Sequence, residues 1–247
     1  MVLSYDINYS MGSEFFAVLF NFYFILYSPP MPGLCPPDMV YIPAGMMYIG
    51  SNIDNESPIR RSEKEAYCID AYEYPNIKGE YAKANLNWKE AEEHCEEVGK
   101  RLCTETEWEK ACRGPKNDWY TYGRRYLKDM CNIETPKRRV VLPSGHFPKC
   151  KSAYGVYDMS GGLLEWTADP YAPYPGNVKM RPSRFSFWEK SVRSAGYSKG
   201  RDSYCSNRKG LKWNQQGGYL GFRCCTSFDE MENQTIKDGI WDVLSKY

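Results

Sequence analysis

Ten cysteines spread along 247 residues, with only two histidines beside them, constrain this chain more than any other feature. No two cysteines stand in a C-x2-C arrangement, the spacing that common structural zinc sites use. The even count therefore reads as a disulfide framework in an oxidising, extracytoplasmic compartment. His94 and His146 are too few for a metalloenzyme that needs several imidazole ligands. A hydrophobic fraction of 42% is enough for a folded core, and a net charge of +1 argues against a generally basic nucleic-acid binder. The length suits one large domain or two small ones.

Phe15 to Tyr27 form an apolar run ahead of Ser28-Pro29-Pro30, short for a membrane span but suited to the apolar part of an export signal. The basic flank that usually precedes such a run is missing, since the first Lys or Arg is Arg60. Residues 1–34 are read as a signal or anchor, 35–225 as the folded domain and 226–247 as a tail with helical character. Any membrane association is expected through the N-terminal segment alone.

Beyond Cys35 the chain is dense in Gly, Pro, Tyr and Trp, with short β-like pieces at Met39–Ile42 and Met46–Ile49. Two segments read as helices. Asn87 with Glu90, and Thr104 with Glu107, have capping-box spacing. Trp88, Ala91, Cys95 and Val98 fall on one face of the first helix, and Trp108, Ala111 and Cys112 on one face of the second. Two helices in a loop-rich, weakly β scaffold indicate an α+β class.

Four ordered blocks resemble the formylglycine-generating enzyme, or sulfatase-modifying factor, family. They are Met39-Val-Tyr-Ile-Pro-Ala-Gly45 running to Ser51; Trp88-x-x-Ala91 with Gly99-Lys-Arg-Leu-Cys-Thr-Glu-Thr-Glu-Trp-Glu109 and Ala111-Cys-Arg-Gly114; Tyr154-Gly-Val-Tyr-Asp-Met-Ser-Gly161 with Glu165-Trp166; and Gly221-Phe-Arg223. The resemblance implies a variant of the C-type lectin fold. It also implies that Cys95 bonds Cys224 and Cys112 bonds Cys205, each closing a loop worth about 4–5 kcal/mol by chain entropy. Cys131 and Cys150 flank a basic, Pro-containing loop and read as its staple. The partners of Cys35, Cys68, Cys103 and Cys225 are not fixed by sequence; Cys35–Cys68 and Cys103–Cys225 are the pairings taken forward.

Enzymes of the family oxidise a substrate cysteine with O2 and copper(I) held by a pair of cysteines. Soft thiolates suit copper(I), so losing either ligand removes the chemistry. Here the corresponding turn is Ser194-Ala-Gly-Tyr197, and the stretch to Tyr204 has no cysteine. Cys205 alone could occupy a catalytic position, and only by leaving Cys112 unpaired. Copper and formylglycine generation are therefore not expected, and an oxidoreductase using another site in the same cleft is the alternative. Iron chemistry of the related sulfoxide synthases needs more histidines than this chain has. The resemblance carries a family Ca2+ site over onto the Asp158 side chain, the carbonyls of Gly161 and Leu163, and the Glu165 carboxylate, where hard oxygen donors on a glycine turn suit that ion; the alternative is a plain Asx turn with Glu165 paired to an arginine.

From Lys179 to Lys212, basic residues outnumber acidic ones and alternate with aromatics, while the helical region before them is acidic. This pattern points to a ligand surface for an anionic peptide, a glycan or a cell-surface polymer, with Lys199, Arg201, Tyr204, Lys212 and Trp213 as its candidate residues. The oxidising compartment disfavours nucleic acid. The expectation is a disulfide-stabilised binding module rather than an enzyme.

Overall fold

Both capping boxes form, and they set the two helices. In the computed structural model, which describes residues 35–51, 59–133, 141–174, 188–194, 196, 200–231 and 233–234, helix α1 spans Trp88–Glu97 and α2 spans Glu105–Arg113. Asn87 Oδ1 accepts the Glu90 N–H at 3.0 Å, and the Glu90 carboxylate accepts the Asn87 N–H at 2.8 Å. Thr104 and Glu107 repeat the exchange at 3.3 and 2.7 Å. Each cap satisfies backbone donors that the helix itself leaves open, a contribution of about 1 kcal/mol. The expected N-terminal segment 1–34 lies outside the described residues, as do Lys199 and 235–247 of the tail.

Ala91 and Cys95 turn inward as expected, but Val98 is 48% exposed. The helix ends at Glu97, and Val98 takes φ −105° and ψ 18°, which swings it off the buried face. In α2 the expected stripe of Trp108, Ala111 and Cys112 is fully buried. Glu105, Glu107, Glu109, Lys110 and Arg113 are buried as well, because β-structure and loops cover the helix on its other sides.

The described residues also form a short 3-10 turn at Gly200–Asp202 and ten strands: β1 Met39–Ile42, β2 Gly45–Ile49, β3 Arg60–Lys64, β4 Tyr67–Asp70, β5 Arg101–Leu102, β6 Leu164–Pro170, β7 Glu189–Arg193, β8 Arg208–Lys212, β9 Leu220–Phe222 and β10 Cys224–Ser227. They form an antiparallel sheet in the order β1-β4-β10-β5, a β2-β3 ribbon, and a sheet in the order β8-β7-β6-β9. In the last, β6 and β9 run parallel. The α+β expectation holds, with strands dominating the C-terminal half.

The cysteines close as five disulfides: Cys35–Cys68, Cys95–Cys224, Cys103–Cys225, Cys112–Cys205 and Cys131–Cys150. Neighbouring residues on a strand face opposite sides of the sheet. Cys224 and Cys225 thus reach different layers from adjacent positions on β10, Cys224 bonding α1 and Cys225 bonding the segment that enters α2. Each belongs to a different core cluster, one around Trp166 and Phe222, the other around Trp108 and Ile69. The start of the tail docks on this framework, with Phe228 edge-on to Tyr41 and Glu230 paired to Arg101 at 2.8 Å.

Candidate functional site

Cys205, the residue that sequence placed nearest a catalytic position, is fully buried and bonded to Cys112. Its N–H donates to the Trp119 carbonyl at 2.8 Å. All ten cysteines are accounted for by disulfides, so no thiolate pair is available to copper(I).

The loop from Asp158 to Glu165 is a tight turn held by acids and one arginine. Gly161 sits at φ +96°, and a Cβ there would meet the Asn132 carbonyl oxygen at 2.5 Å, so this position requires glycine. Its own carbonyl accepts the Ser194 hydroxyl at 2.8 Å. Arg223, the arginine of the Gly-Phe-Arg block, grips both oxygens of Glu165 at 2.6 and 2.8 Å. Trp108 Nε1 adds a third bond to Glu165 at 2.7 Å. Asp158 accepts the Gly145 N–H at 2.7 Å, and burial pushes its carboxyl up to about 6. Sequence reading missed Glu73, which lies ninety residues before Leu163 and accepts its N–H at 3.2 Å. Burial, then the charges of Glu165 and Asp158, push the Glu73 carboxyl up to about 8. A cavity of about 20 Å3 opens between Glu73, Asp158, Asn132 and His146. Among the described residues, no three His, Cys, Asp or Glu side chains converge as a metal site by themselves.

The basic, aromatic C-terminal residues are divided by the fold. Arg193 and Arg208, counted from sequence with the exposed cations, are buried. Arg193 bonds Glu109 at 2.6 Å and Glu105 at 3.2 Å, and Arg208 bonds Glu105 at 2.7 Å between the rings of Tyr171 and Tyr174. They answer the buried acids of α2, which a one-face reading of that helix hides. Lys212 and Trp213 lie at the far end of β8, about 13 Å of strand from its start. There Trp213 joins Trp188, while Lys190 stacks on Trp88 at 3.6 Å.

Arg201 and Tyr204 instead meet an aromatic group from upstream. Tyr204 stands edge-on to Trp119 at 6.0 Å and next to Tyr120 at 5.1 Å; Tyr120 stacks on Tyr122, and Arg201 lies over Tyr126. The Cys112–Cys205 bridge holds the two segments together. Trp119, Tyr204, Arg113, Ser206, Gly50, Ser51 and Ile59 line a cleft of about 250 Å3. The available sequence signal was the run Trp119-Tyr-Thr-Tyr-Gly-Arg-Arg-Tyr126, whose aromatics and arginines repeat the pattern of the later segment.

The family profile described as "Sulfatase-modifying factor enzyme 1-like domain" matches residues 83–228, more than half of the chain. The chain belongs to this family. The sulfatase-modifying-factor match takes in both helices, the acidic loop and the Gly-Phe-Arg block. This domain is 32% identical over 161 residues to "Inactive C-alpha-formylglycine-generating enzyme 2" of Mus musculus, covering 61% of the chain and 50% of that protein. It is 34% identical over 115 residues to "Hercynine oxygenase" of Mycolicibacterium smegmatis, covering 44% of the chain and 27% of that protein. It thus spans half or less of the length of these relatives. The solved structure of PvdO from Pseudomonas aeruginosa superposes with a TM-score of 0.65 at 19% identity, covering 81% of this chain and all of that one, a likeness of fold. The sulfatase-modifying-factor framework is present here without a free thiol pair.

Proposed function

We propose that this chain is a non-catalytic ligand-binding module of the sulfatase-modifying-factor fold, C-type-lectin-like in class and working outside the cytoplasm. The observation that carries the reading is the Cys112–Cys205 disulfide, which commits to structure the one cysteine near a catalytic position. The binding face is the cleft beside Trp119, Arg201 and Tyr204. Lys212 and Trp213 belong to a separate patch. Five disulfides support the compartment. The name of the mouse relative, which calls it inactive, points the same way.

The test is a thiol count under native, non-reducing conditions together with copper(I) titration. The expected result is no titratable thiol and no stoichiometric copper. Two free thiols per chain with tight copper(I) binding would overturn the reading and restore an oxidase.

Calcium is the ion this module would hold, with Asp158 and Leu163 beside the cavity; the Glu165 oxygens bonded to Arg223 and the Gly161 carbonyl bonded to Ser194 would exchange those partners for the ion. The donor set is all oxygen, and Glu73, Asp158 and Glu165 crowd around the single guanidinium of Arg223. A divalent cation beside them would offset their mutual repulsion, and the adjoining cavity is large enough for one water-sized species. Added Ca2+ is expected to raise the melting temperature relative to EGTA, and Asp158→Ala to abolish the rise. An equal melting temperature in both buffers would remove calcium from the account.

A further inference from the structure

Trp119 also lines a second, larger cleft of about 590 Å3, together with Tyr48, Lys116, Asn117, Arg124 and Arg125. Trp119 is 51% exposed and Tyr48 43% exposed, so two aromatic side chains from distant segments reach solvent there. Lys116, Arg124 and Arg125 are exposed around them. Arg61 faces Tyr48 in the β2–β3 register and shares its side of the ribbon. Against these cations stand Asp118, 3.4 Å from Arg124, and Glu63, two pairs further along the ribbon and on the same side. The cleft is net positive with aromatic walls.

We propose that this cleft binds an acidic polysaccharide, with its sulfate or carboxylate groups on Lys116, Arg124 and Arg125 and a sugar ring against Trp119. The inference deepens the binding-module reading and rests on it. Cations at the rim suit a polyanion, and the exposed indole offers a flat apolar face to the C–H face of a pyranose.

An extended peptide would look for backbone partners, but the loop uses its own. The N–H groups of Asn117 and Asp118 donate to Gly114 and Arg113, and Tyr120 and Gly123 exchange both of their bonds. The Trp119 carbonyl is taken by Cys205 and that of Lys116 by Arg124. With these groups taken, the rim cations and the Trp119 indole are the cleft's main contacts. Stacking and cations also suit single-stranded nucleic acid. Five disulfides place the chain where acidic glycans, rather than nucleic acids, are the abundant polyanions.

The experiment is calorimetric titration of the full chain with a heparin-derived oligosaccharide, its desulfated counterpart, an acidic peptide and an oligothymidylate. The sulfated oligosaccharide is expected to bind most tightly, with desulfation, Trp119→Ala and the Arg124→Ala/Arg125→Ala pair each weakening it about tenfold or more. The arginine pair should also flatten the salt dependence, lowering the slope of log Kd against log salt by about two. Trp119→Phe keeps an aromatic ring beside Tyr204 and is expected to recover most of the loss, which separates stacking from misfolding. Lys89→Ala, on the exposed face of α1, should leave binding unchanged. Absence of oligosaccharide binding, indifference to the Trp119 and arginine changes, or tighter binding of the peptide or oligothymidylate would each overturn the proposal. Such a failure with all ten cysteines bonded would leave the non-catalytic module reading standing, whereas free thiols would sink that reading whatever the saccharide result.

Discussion

Replacing Cys95 and Cys224 with alanine is expected to cost about 3 kcal/mol, not the roughly 5 kcal/mol that their loop implies in isolation. The two cysteines are 129 residues apart, and chain entropy over that span gives the larger figure. Cys103–Cys225 runs alongside, however, eight residues from Cys95 at one end (103 − 95) and one from Cys224 at the other (225 − 224). With that bridge intact, Cys95–Cys224 closes a ring of only about ten residues, worth about 3 kcal/mol. Removing Cys103–Cys225 alone should cost about the same. Removing both opens a ring bounded by Cys112–Cys205 and should cost about 6 kcal/mol or more. Urea unfolding of the two single-bridge variants and the combined variant measures all three. A single variant as unstable as the combined one would show that the bridges are not redundant.

Arg223→Met is expected to lose about 3–5 kcal/mol, a drop in melting temperature on the order of 10 °C. Arg223 and Glu165 are both fully buried, and the guanidinium bonds both carboxylate oxygens. Without it, Glu165 keeps only the Trp108 N–H and faces Glu73 and Asp158 across the loop. An uncompensated buried carboxylate is the costly outcome, so Glu165→Gln/Arg223→Met should be less damaging than the two single changes summed. The cycle is run in EGTA to keep calcium out of the comparison. A loss under about 1 kcal/mol for Arg223→Met would contradict the buried-pair account.

Features governed by neighbours in the chain were legible. The two capping boxes need only residues three apart, and both helices begin where Asn87 and Thr104 put them. The cysteine pairings were also accessible, two through family resemblance and one through its flanking loop. The other two, Cys35–Cys68 and Cys103–Cys225, were named without local evidence and both form. Adjacent Cys224 and Cys225 present the same local signal, and only their opposite facing on β10 separates them.

Burial of charge was not legible. Lys110, Glu105 and Glu109 look like the solvent side of an amphipathic helix, yet every residue of α2 except Thr106 is buried. Arg193 and Arg208, eighty or more residues later, fold back to neutralise it. Nor could sequence gather the binding face. Trp119 and Tyr204 lie on segments joined by Cys112–Cys205, whereas Lys212, only eight residues beyond Tyr204, is carried away along β8.

The ten cysteines and two histidines, by themselves, determined that this chain would be framed by disulfides and short of metal-binding imidazoles. That follows from residue chemistry, which needs no coordinates. Which charges are buried, which cysteines are redundant and which aromatics share a cleft were decided by tertiary structure. Each depends on segments tens of residues apart, whose contact is set by layer packing rather than by local spacing.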